Sequence, residues 1–254
     1  MKAGPLTTLR AAFGSFSTLP AGGRDVTGTA PGPGALESLP LVGIVTGALA
    51  GAAGLVFARL LPARLVPPLV VGVRLALTGA VHLDGYLDAC DALFASVDPG
   101  RRLEILKDPR HGTYALAGFA CWLPLELAAL EAIPRRRWPV ALAAAGGIAR
   151  AAAVATARSA RHARQAEGGA PAVFARRPRL GAVALALTAG GLLATRAVPG
   201  GAVLSPLAWL AGRGLARFAR RQLGGALTGD TYGWTIVVLE TGLLACMAAG
   251  RSRR

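Results

Sequence analysis

The sequence predicts an all-α integral membrane protein, a polytopic helical bundle with six or seven transmembrane helices. Of its 254 residues, 53% are hydrophobic and only 16% are charged, whereas a soluble domain usually carries about 25% charged residues. The mean hydropathy is +0.48, and the apolar residues collect in runs of about 20, the length at which a helix crosses a bilayer. This much apolar surface excludes disorder, and three scattered cysteines exclude a disulfide scaffold and argue against a zinc site.

Seven apolar runs are the predicted spans, and several of them contain a charge. The second carries Arg74, the third Glu126 and Glu131, the fourth Arg150 and the seventh Glu240. The glutamates are predicted either to be interhelical partners of the two arginines or to lie near the membrane interfaces. Because the fifth and sixth runs are short, the count is six or seven. In order, the runs are 39–58, 65–81, 114–133, 138–157, 180–195, 198–212 and 234–249.

The distribution of basic residues predicts the orientation. Residues 1–38 lack the apolar core of a signal peptide and are expected to be an N-terminal cytoplasmic segment of a single domain, 1–254. With seven spans, the cytoplasmic segments then hold 17 lysines and arginines and the outer segments hold nine. The positive-inside rule therefore favours a multi-pass protein of the cell (inner) membrane, with loops 82–113, 158–179 and 213–233 on the cytoplasmic side. The net charge of +15 does not indicate nucleic acid as a partner, because the basic residues lie between apolar runs.

Acidic residues concentrate in the segment 82–113, which is the predicted catalytic segment. Asp84, Asp88 and Asp91 have the spacing i, i+4, i+7, so on a helix they fall within about 60° of one another. Apolar residues repeat on the neighbouring face, which is typical of an amphipathic helix. Three like charges beside a membrane repel one another, and a divalent cation would relieve that repulsion.

A second acidic group follows a turn signal at 98–100. Glu104 and Asp108 are four residues apart, and Pro109 should end this second helix at about Asp108. Two helices joined by a tight turn are thus expected to offer carboxylates to one or two Mg²⁺ ions, or to Mn²⁺. The alternative is a solvated acidic face with salt bridges to neighbouring arginines. The predicted metal ligands are Asp84, Asp88, Asp91, Glu104 and Asp108, and the arginines of the alternative are Arg101, Arg102 and Arg110.

This chemistry predicts a membrane-embedded, metal-dependent transferase acting on a phosphate or pyrophosphate. A divalent-metal transporter is the non-enzymatic alternative. Transporters usually place single acids in mid-span, often in repeated halves. Here the acids cluster in one segment with basic neighbours, which favours an anionic substrate over a bare ion.

The same segment carries a resemblance to a known family. The matching residues are His82-Leu83-Asp84-Gly85, Asp88, Asp91, 103–110 and Gly112-Thr113. On these residues the chain resembles the cobalamin synthase family, the adenosylcobinamide-GDP ribazoletransferases. Weaker matches are 13–20, 39–43, Arg150 and Ala163-Arg164. Residues 225–230 resemble the family's Gly-Gly-x-Thr-Gly-Asp, with Ala226 in place of a glycine.

The resemblance implies a reaction and a set of residues. A hydroxyl of α-ribazole, or of its 5′-phosphate, attacks the cobinamide-proximal phosphorus of adenosylcobinamide-GDP, and GMP leaves with the help of Mg²⁺. Asp91 or Asp108 is the expected proton acceptor, and Thr228-Gly229-Asp230 should pack beside the aspartates of the acidic segment. The implied substrate-binding residues are His82, Lys107, Arg110, Thr113, Arg150, Arg164, Thr228 and Asp230. The expected partners are these corrinoid and ribazole substrates and the lipid bilayer, while the oligomeric state stays open.

Two other membrane enzymes with clustered aspartates are alternatives. A CDP-alcohol-type phospholipid phosphotransferase would carry Asp-Gly-x-x-Ala-Arg, whereas residues 84–87 read Asp-Gly-Tyr-Leu. An aspartate-rich prenyltransferase would carry two separate acidic motifs, whereas Asp230 stands alone near the C-terminus.

Overall fold

The computed structural model describes residues 5–20, 34–157, 161–162 and 178–250, and in these ranges the chain is almost entirely helical. Single 3₁₀ turns precede three of the helices, at Ala63–Leu65, Arg135–Arg137 and Gly201–Val203. Two short strands, β1 (Arg161–His162) and β2 (Ala226–Leu227), pair in parallel. The helices are α1 (Pro5–Phe16), α2 (Ala35–Leu60), α3 (Val66–Thr78), α4 (Val81–Phe94), α5 (Pro99–Ile105), α6 (Thr113–Ala132), α7 (Trp138–Thr156), α8 (Leu180–Ala197), α9 (Leu204–Gln222) and α10 (Gly229–Ala249).

Glycines allow α2 and α7 to pack at very short range in the centre of the bundle. A Cβ added at Gly47 would lie 2.3 Å from the carbonyl oxygen of Leu142, and one at Gly43 would lie 2.3 Å from that of Gly146. Gly51 makes an equally close approach to Pro139. Small residues four apart leave room for two helix backbones to come into contact. In a membrane, where no hydrophobic force drives helices together, this close packing is a main source of attraction between them. Helix α7 is therefore the buried axis of the fold.

Helices α3 and α4 meet at a sharp corner of 95°. Gly79 and Ala80 both have left-handed backbone conformations, with φ of 61° and 57°, which ends α3 and redirects the chain. The segment after α1 secures the corner, since the Thr18 hydroxyl donates to the carbonyl of Ala76 at 2.8 Å. The predicted span 65–81 thus corresponds to α3, the helix before the corner. Helix α4, which carries Asp84, Asp88 and Asp91, follows the corner.

Within the described ranges, five helices are long and apolar enough to cross a membrane, and the bent α3–α4 pair makes a sixth if it counts as one span. The predicted sixth run, 198–212, is corrected by the structure. Its first residues form a turn in which Gly200 has a φ of 74°, and the helix begins only at Leu204 and continues to Gln222. Arginines in the last part of α9 explain why this helix is not among the candidate spans.

A network of buried charges joins four helices in the interior. Arg74 of α3 pairs with Glu126 of α6 and, at 3.0 Å, with Glu240 of α10. Arg150 of α7 reaches the same Glu240 carboxylate at 3.3 Å. The prediction that glutamates within the spans pair with these two arginines is confirmed for Glu126 and Glu240, whereas Glu131 lies exposed. Two positive and two negative groups balance, which lowers the cost of placing them in the interior.

Candidate active site

Helix α4 presents two of the predicted aspartates to a histidine that follows α5. Ligand atoms of Asp84, Asp88 and His111 all lie within 4.8 Å of one another, and Nδ1 of His111 is 3.4 Å from a carboxylate oxygen of Asp88. Asp84 and His111 are exposed, while Asp88 is partly buried. The amphipathic helix predicted from the i, i+4, i+7 spacing is present as α4. We call Asp84, Asp88 and His111 the acidic cluster.

Asp91, the third aspartate of α4, is buried and points to the start of α6. Its carboxylate accepts hydrogen bonds from the backbone N–H groups of Gly112 and Ala115, the latter at 2.9 Å. A negative side chain at the N-terminus of a helix satisfies unpaired N–H groups and complements the helix dipole. Because Gly112 follows His111 directly, Asp91 holds the loop that carries the cluster's histidine.

The start of α10 packs against the middle of α4. A Cβ added at Gly85 would lie 3.0 Å from Cα of Asp230, and one at Gly233 would lie 3.0 Å from the carbonyl oxygen of His82. Asp230 is near enough to Asp88 for the two carboxylates to repel each other. The structure therefore brings residues 228–230 beside the acidic segment, as the sequence predicted, across about 140 positions.

Thr228 begins α10 as its N-cap. The Thr228 hydroxyl accepts from the N–H of Thr231, and the Thr231 hydroxyl accepts in turn from the N–H of Thr228. This reciprocal capping box fixes the first turn of the helix. It also fixes the position of Asp230 against Gly85, so the fully buried Thr228 positions Asp230 through the backbone.

The second predicted helix is shorter than expected. Helix α5 begins after Asp98, whose carboxylate accepts from the N–H of Gly100 at 2.9 Å and of Arg101 at 3.1 Å, and it ends at Ile105. Arg102 is buried and donates to the carbonyls of Ala92 and Leu93 at the end of α4. The turn predicted at 98–100 is present, but the helix stops three residues before Asp108.

Glu104 and Asp108 form no part of the acidic cluster in the described structure. Glu104 pairs with Arg101 at 2.6 Å on the exposed face of α5. Asp108 receives hydrogen bonds from the guanidinium of Arg110, and this interaction lowers the pKa of Asp108 to about 2. Local arginines thus hold both carboxylates away from α4, which is the arrangement of the solvated acidic face. So low a pKa makes Asp108 a poor proton acceptor near neutral pH.

The predicted substrate-binding residues fall into separate groups. Lys107 and Arg110 are exposed in the loop that also carries His111, and Thr113 is exposed as the first residue of α6. His82 and Arg150 are instead buried in the interior, where His82 stacks on Phe16 with a ring distance of 6.3 Å. Both line a cavity of about 30 Å³ beside the buried charge network. Arg164 lies outside the described residues.

The side chains of the acidic cluster fit a divalent cation. Two carboxylates suit Mg²⁺ or Mn²⁺, and an imidazole in the set is better matched to Mn²⁺ than to Mg²⁺. His111 is not among the ligands predicted from the sequence. It lies seven residues after Glu104, the i, i+4, i+7 spacing with Glu104 and Asp108, but the helix that would use this spacing ends at Ile105.

A helical membrane protein with carboxylates, a histidine and basic loop residues at one end of its bundle has the composition of a membrane-embedded transferase for phosphate-linked substrates. The chain belongs to the cobalamin-5-phosphate synthase family, whose model matches residues 8–248. Relatives named adenosylcobinamide-GDP ribazoletransferase include one from Deinococcus radiodurans, 38% identical over 79% of this chain and 70% of its own length. Another, from Stutzerimonas stutzeri, is 36% identical over 82% of this chain and 84% of its own. No solved structure matches.

Proposed function

We propose that this chain transfers the adenosylcobinamide-phosphate group of adenosylcobinamide-GDP to α-ribazole or its 5′-phosphate, with GMP as the leaving group. The names of the relatives support this reaction. The observation that carries it is the convergence of Asp84 and Asp88 of the family motif with His111 and Asp230 at one end of the bundle. Family membership makes the chain a transferase of late cobalamin biosynthesis, which removes the transporter alternative.

The reaction needs positioning and charge neutralisation more than covalent help. The hydroxyl oxygen of ribazole forms a bond to the cobinamide-proximal phosphorus, and the bond from that phosphorus to the oxygen of GMP breaks. Asp84, Asp88 and His111 would hold a Mg²⁺ or Mn²⁺ ion, which neutralises phosphate charge when bound. Exposed Lys107 and Arg110 are two cations of the loop that carries His111, and they would bind phosphate oxygens of the donor.

The hydroxyl proton must pass to a base. Asp91 is occupied by two backbone N–H groups and Asp108 by Arg110. We therefore assign the proton to Asp230, which lies against α4 and is not one of the residues that would hold the metal.

The cytoplasmic side is the proposed location of this site, in the cell (inner) membrane. The site is built from segments 82–113 and 213–233, and β1 of segment 158–179 pairs with β2 next to it. These three segments hold 14 of the 17 lysines and arginines assigned to the cytoplasmic side. Substrates that carry several phosphates do not cross a bilayer unaided, which also favours a site facing the compartment in which they are made.

The experiment is an assay of GMP release by the protein in lipid nanodiscs. Adenosylcobinamide-GDP is supplied with α-ribazole, with its 5′-phosphate or with neither, in Mg²⁺, in Mn²⁺ or in EDTA. We expect release that requires both the acceptor and the metal. Release without an acceptor would indicate a hydrolase, and full activity in EDTA would remove the metal from the proposal. Substitution of His111→Ala should weaken Mn²⁺ binding more than Mg²⁺ binding.

A further inference from the structure

The outward face of α9 carries a basic groove whose arginines have no role in the proposed reaction. The groove has a volume of about 660 Å³. Arg213, Arg217 and Arg221 are exposed, and none of these three pairs with a carboxylate of the described residues. Such a groove attracts an anion, and guanidinium groups bind phosphate in a bidentate manner. The lining residues are Arg213, Gly214, Arg217, Arg220, Arg221, Gly224 and Gly225.

A second, mostly apolar groove lies between α8 and α9 and has a volume of about 460 Å³. Ser205 of α9 donates to the carbonyl of Leu187 at 2.7 Å and so holds the two helices together at its floor. The two grooves meet where the Arg213 guanidinium lies over the Trp209 ring, 5.0 Å from its centroid. The lining residues are Ala184, Leu187, Thr188, Gly191, Leu192, Ala202, Ser205, Pro206 and Trp209.

Both grooves look away from the bundle. At 100° per residue, Pro206, Trp209, Arg213 and Arg217 fall within about 80° on α9. The buried residues Ala208, Gly212, Ala216 and Ala219 lie on an adjacent face, about 100° around the helix, whereas buried Ser205 lines the apolar groove. None of the residues of the acidic cluster lines either groove.

We propose that α8 and α9 bind one anionic phospholipid, from the leaflet on the side of the acidic cluster. Its phosphate lies among Arg213, Arg217 and Arg221, and one acyl chain follows the apolar groove from Trp209 toward Ala202. Arginines near an anionic leaflet attract its headgroups, and a tryptophan at this level is typical of a membrane interface. A soluble phosphate compound would occupy the basic groove alone and leave the apolar groove unused.

Native mass spectrometry of the protein in detergent tests the site with dioleoylphosphatidylglycerol and dioleoylphosphatidylcholine as probes. We expect the wild-type protein to bind the anionic lipid about tenfold more tightly or better, and R213Q/R217Q/R221Q to lose this preference. Ala184→Trp, which fills the apolar groove, should weaken binding of the anionic lipid although every arginine is kept. Thermal unfolding in phosphatidylcholine checks the fold, and Arg217→Gln replaces the triple variant if the latter does not fold.

The matched control is R59Q/R64Q/R136Q, which removes three exposed arginines from the other end of the molecule. It should keep the lipid preference. An equal loss in this control would mean that only total charge matters and would overturn the proposal. Displacement of the lipid by millimolar GMP or inorganic phosphate would do the same, because it would assign the basic groove to a soluble anion. Since neither groove touches the acidic cluster, GMP release tests the proposed function separately.

Discussion

Three aspartates within 21 positions have three different environments. Asp88 is partly buried and faces Asp84, Asp230 and His111. Asp91 is buried and bound by backbone N–H groups, and Asp108 is bound by Arg110 in an exposed loop. The residue type alone therefore does not determine which carboxylate can bind a metal or accept a proton.

The first prediction contrasts two of these aspartates. Asp88→Asn keeps the shape but removes a charge of the acidic cluster, so GMP release should fall by about 10²-fold or more. Asp108→Asn should have a much smaller effect, because its carboxylate is already paired outside the cluster. The assay compares kcat/KM of both variants at limiting metal. A severe loss in Asp108→Asn together with near-normal turnover in Asp88→Asn would contradict this assignment and show that Asp108 acts in catalysis, as the sequence predicted.

The second prediction concerns the buried charge network. Glu126 is fully buried and accepts from Arg74 and from the Thr241 hydroxyl. Glu126→Gln leaves the excess positive charge of Arg74 in the interior, so the free energy of unfolding should fall by about 3 kcal/mol. Unfolding in mixed micelles measures this loss.

Glu131→Gln on the same helix is the control for that measurement. Its side chain is exposed, and it should change stability by less than about 0.5 kcal/mol. Similar losses in both variants would show that the pairing seen in the structure contributes no stability of its own.

At the scale of elements, two pairs of helices pack with their backbones in direct contact at glycine residues. Helices α2 and α7 approach until backbone meets backbone at Gly43, Gly47 and Gly51. Helix α4 likewise meets α10 through Gly85 and Gly233. The first contact sets the core of the bundle, and the second brings Asp230 to the aspartates of α4.

The third prediction tests the α2–α7 contact. Gly47→Ala places a methyl group 2.3 Å from the carbonyl oxygen of Leu142, so the helices must separate, at a cost of about 1–3 kcal/mol. Gly72→Ala is the matched control, since nothing lies within 4 Å of its added Cβ, and helix propensity should raise stability by about 0.5–1 kcal/mol. Thermal unfolding should move in opposite directions in the two variants. A stabilising Gly47→Ala would contradict the packing described.

At the scale of the whole molecule, α9 crosses the bundle although arginines fill its last turns. Helix α9 starts at the end of the bundle where the loop after α6 meets the end of α8, since Arg137 donates there to the carbonyl of Ala197. Its end leads to β2, which pairs with β1, and then to Asp230 beside Gly85. Nineteen residues of helix span about 28 Å, close to the thickness of the hydrocarbon core. Loops 82–113 and 213–233 and strand β1 thus share one end of the molecule.

The fourth prediction is the pattern of cysteine labelling in a background without native cysteines. Ser96→Cys and Gly225→Cys should react with an impermeant reagent from the same side of the membrane, the cytoplasmic one. Gly200→Cys should react from the other side, because α9 separates it from Gly225. Labelling of Gly200→Cys and Gly225→Cys from one side would mean that α9 does not cross.

Composition and spacing by themselves determined the class of protein, most of its spans and the amphipathic helix with Asp84, Asp88 and Asp91. These features depend on local periodicity and on the energy of placing side chains in lipid, so they can be predicted without contacts. Family motifs added the proximity of residues 228–230 to this helix. Only the tertiary structure placed His111 in the acidic cluster. It also showed that Asp91 binds the N-terminus of α6 and that Glu104 and Asp108 pair with Arg101 and Arg110. The physical reason is that each carboxylate interacts with the donors that folding brings nearest to it, and the spacing of residues along a helix does not specify those donors.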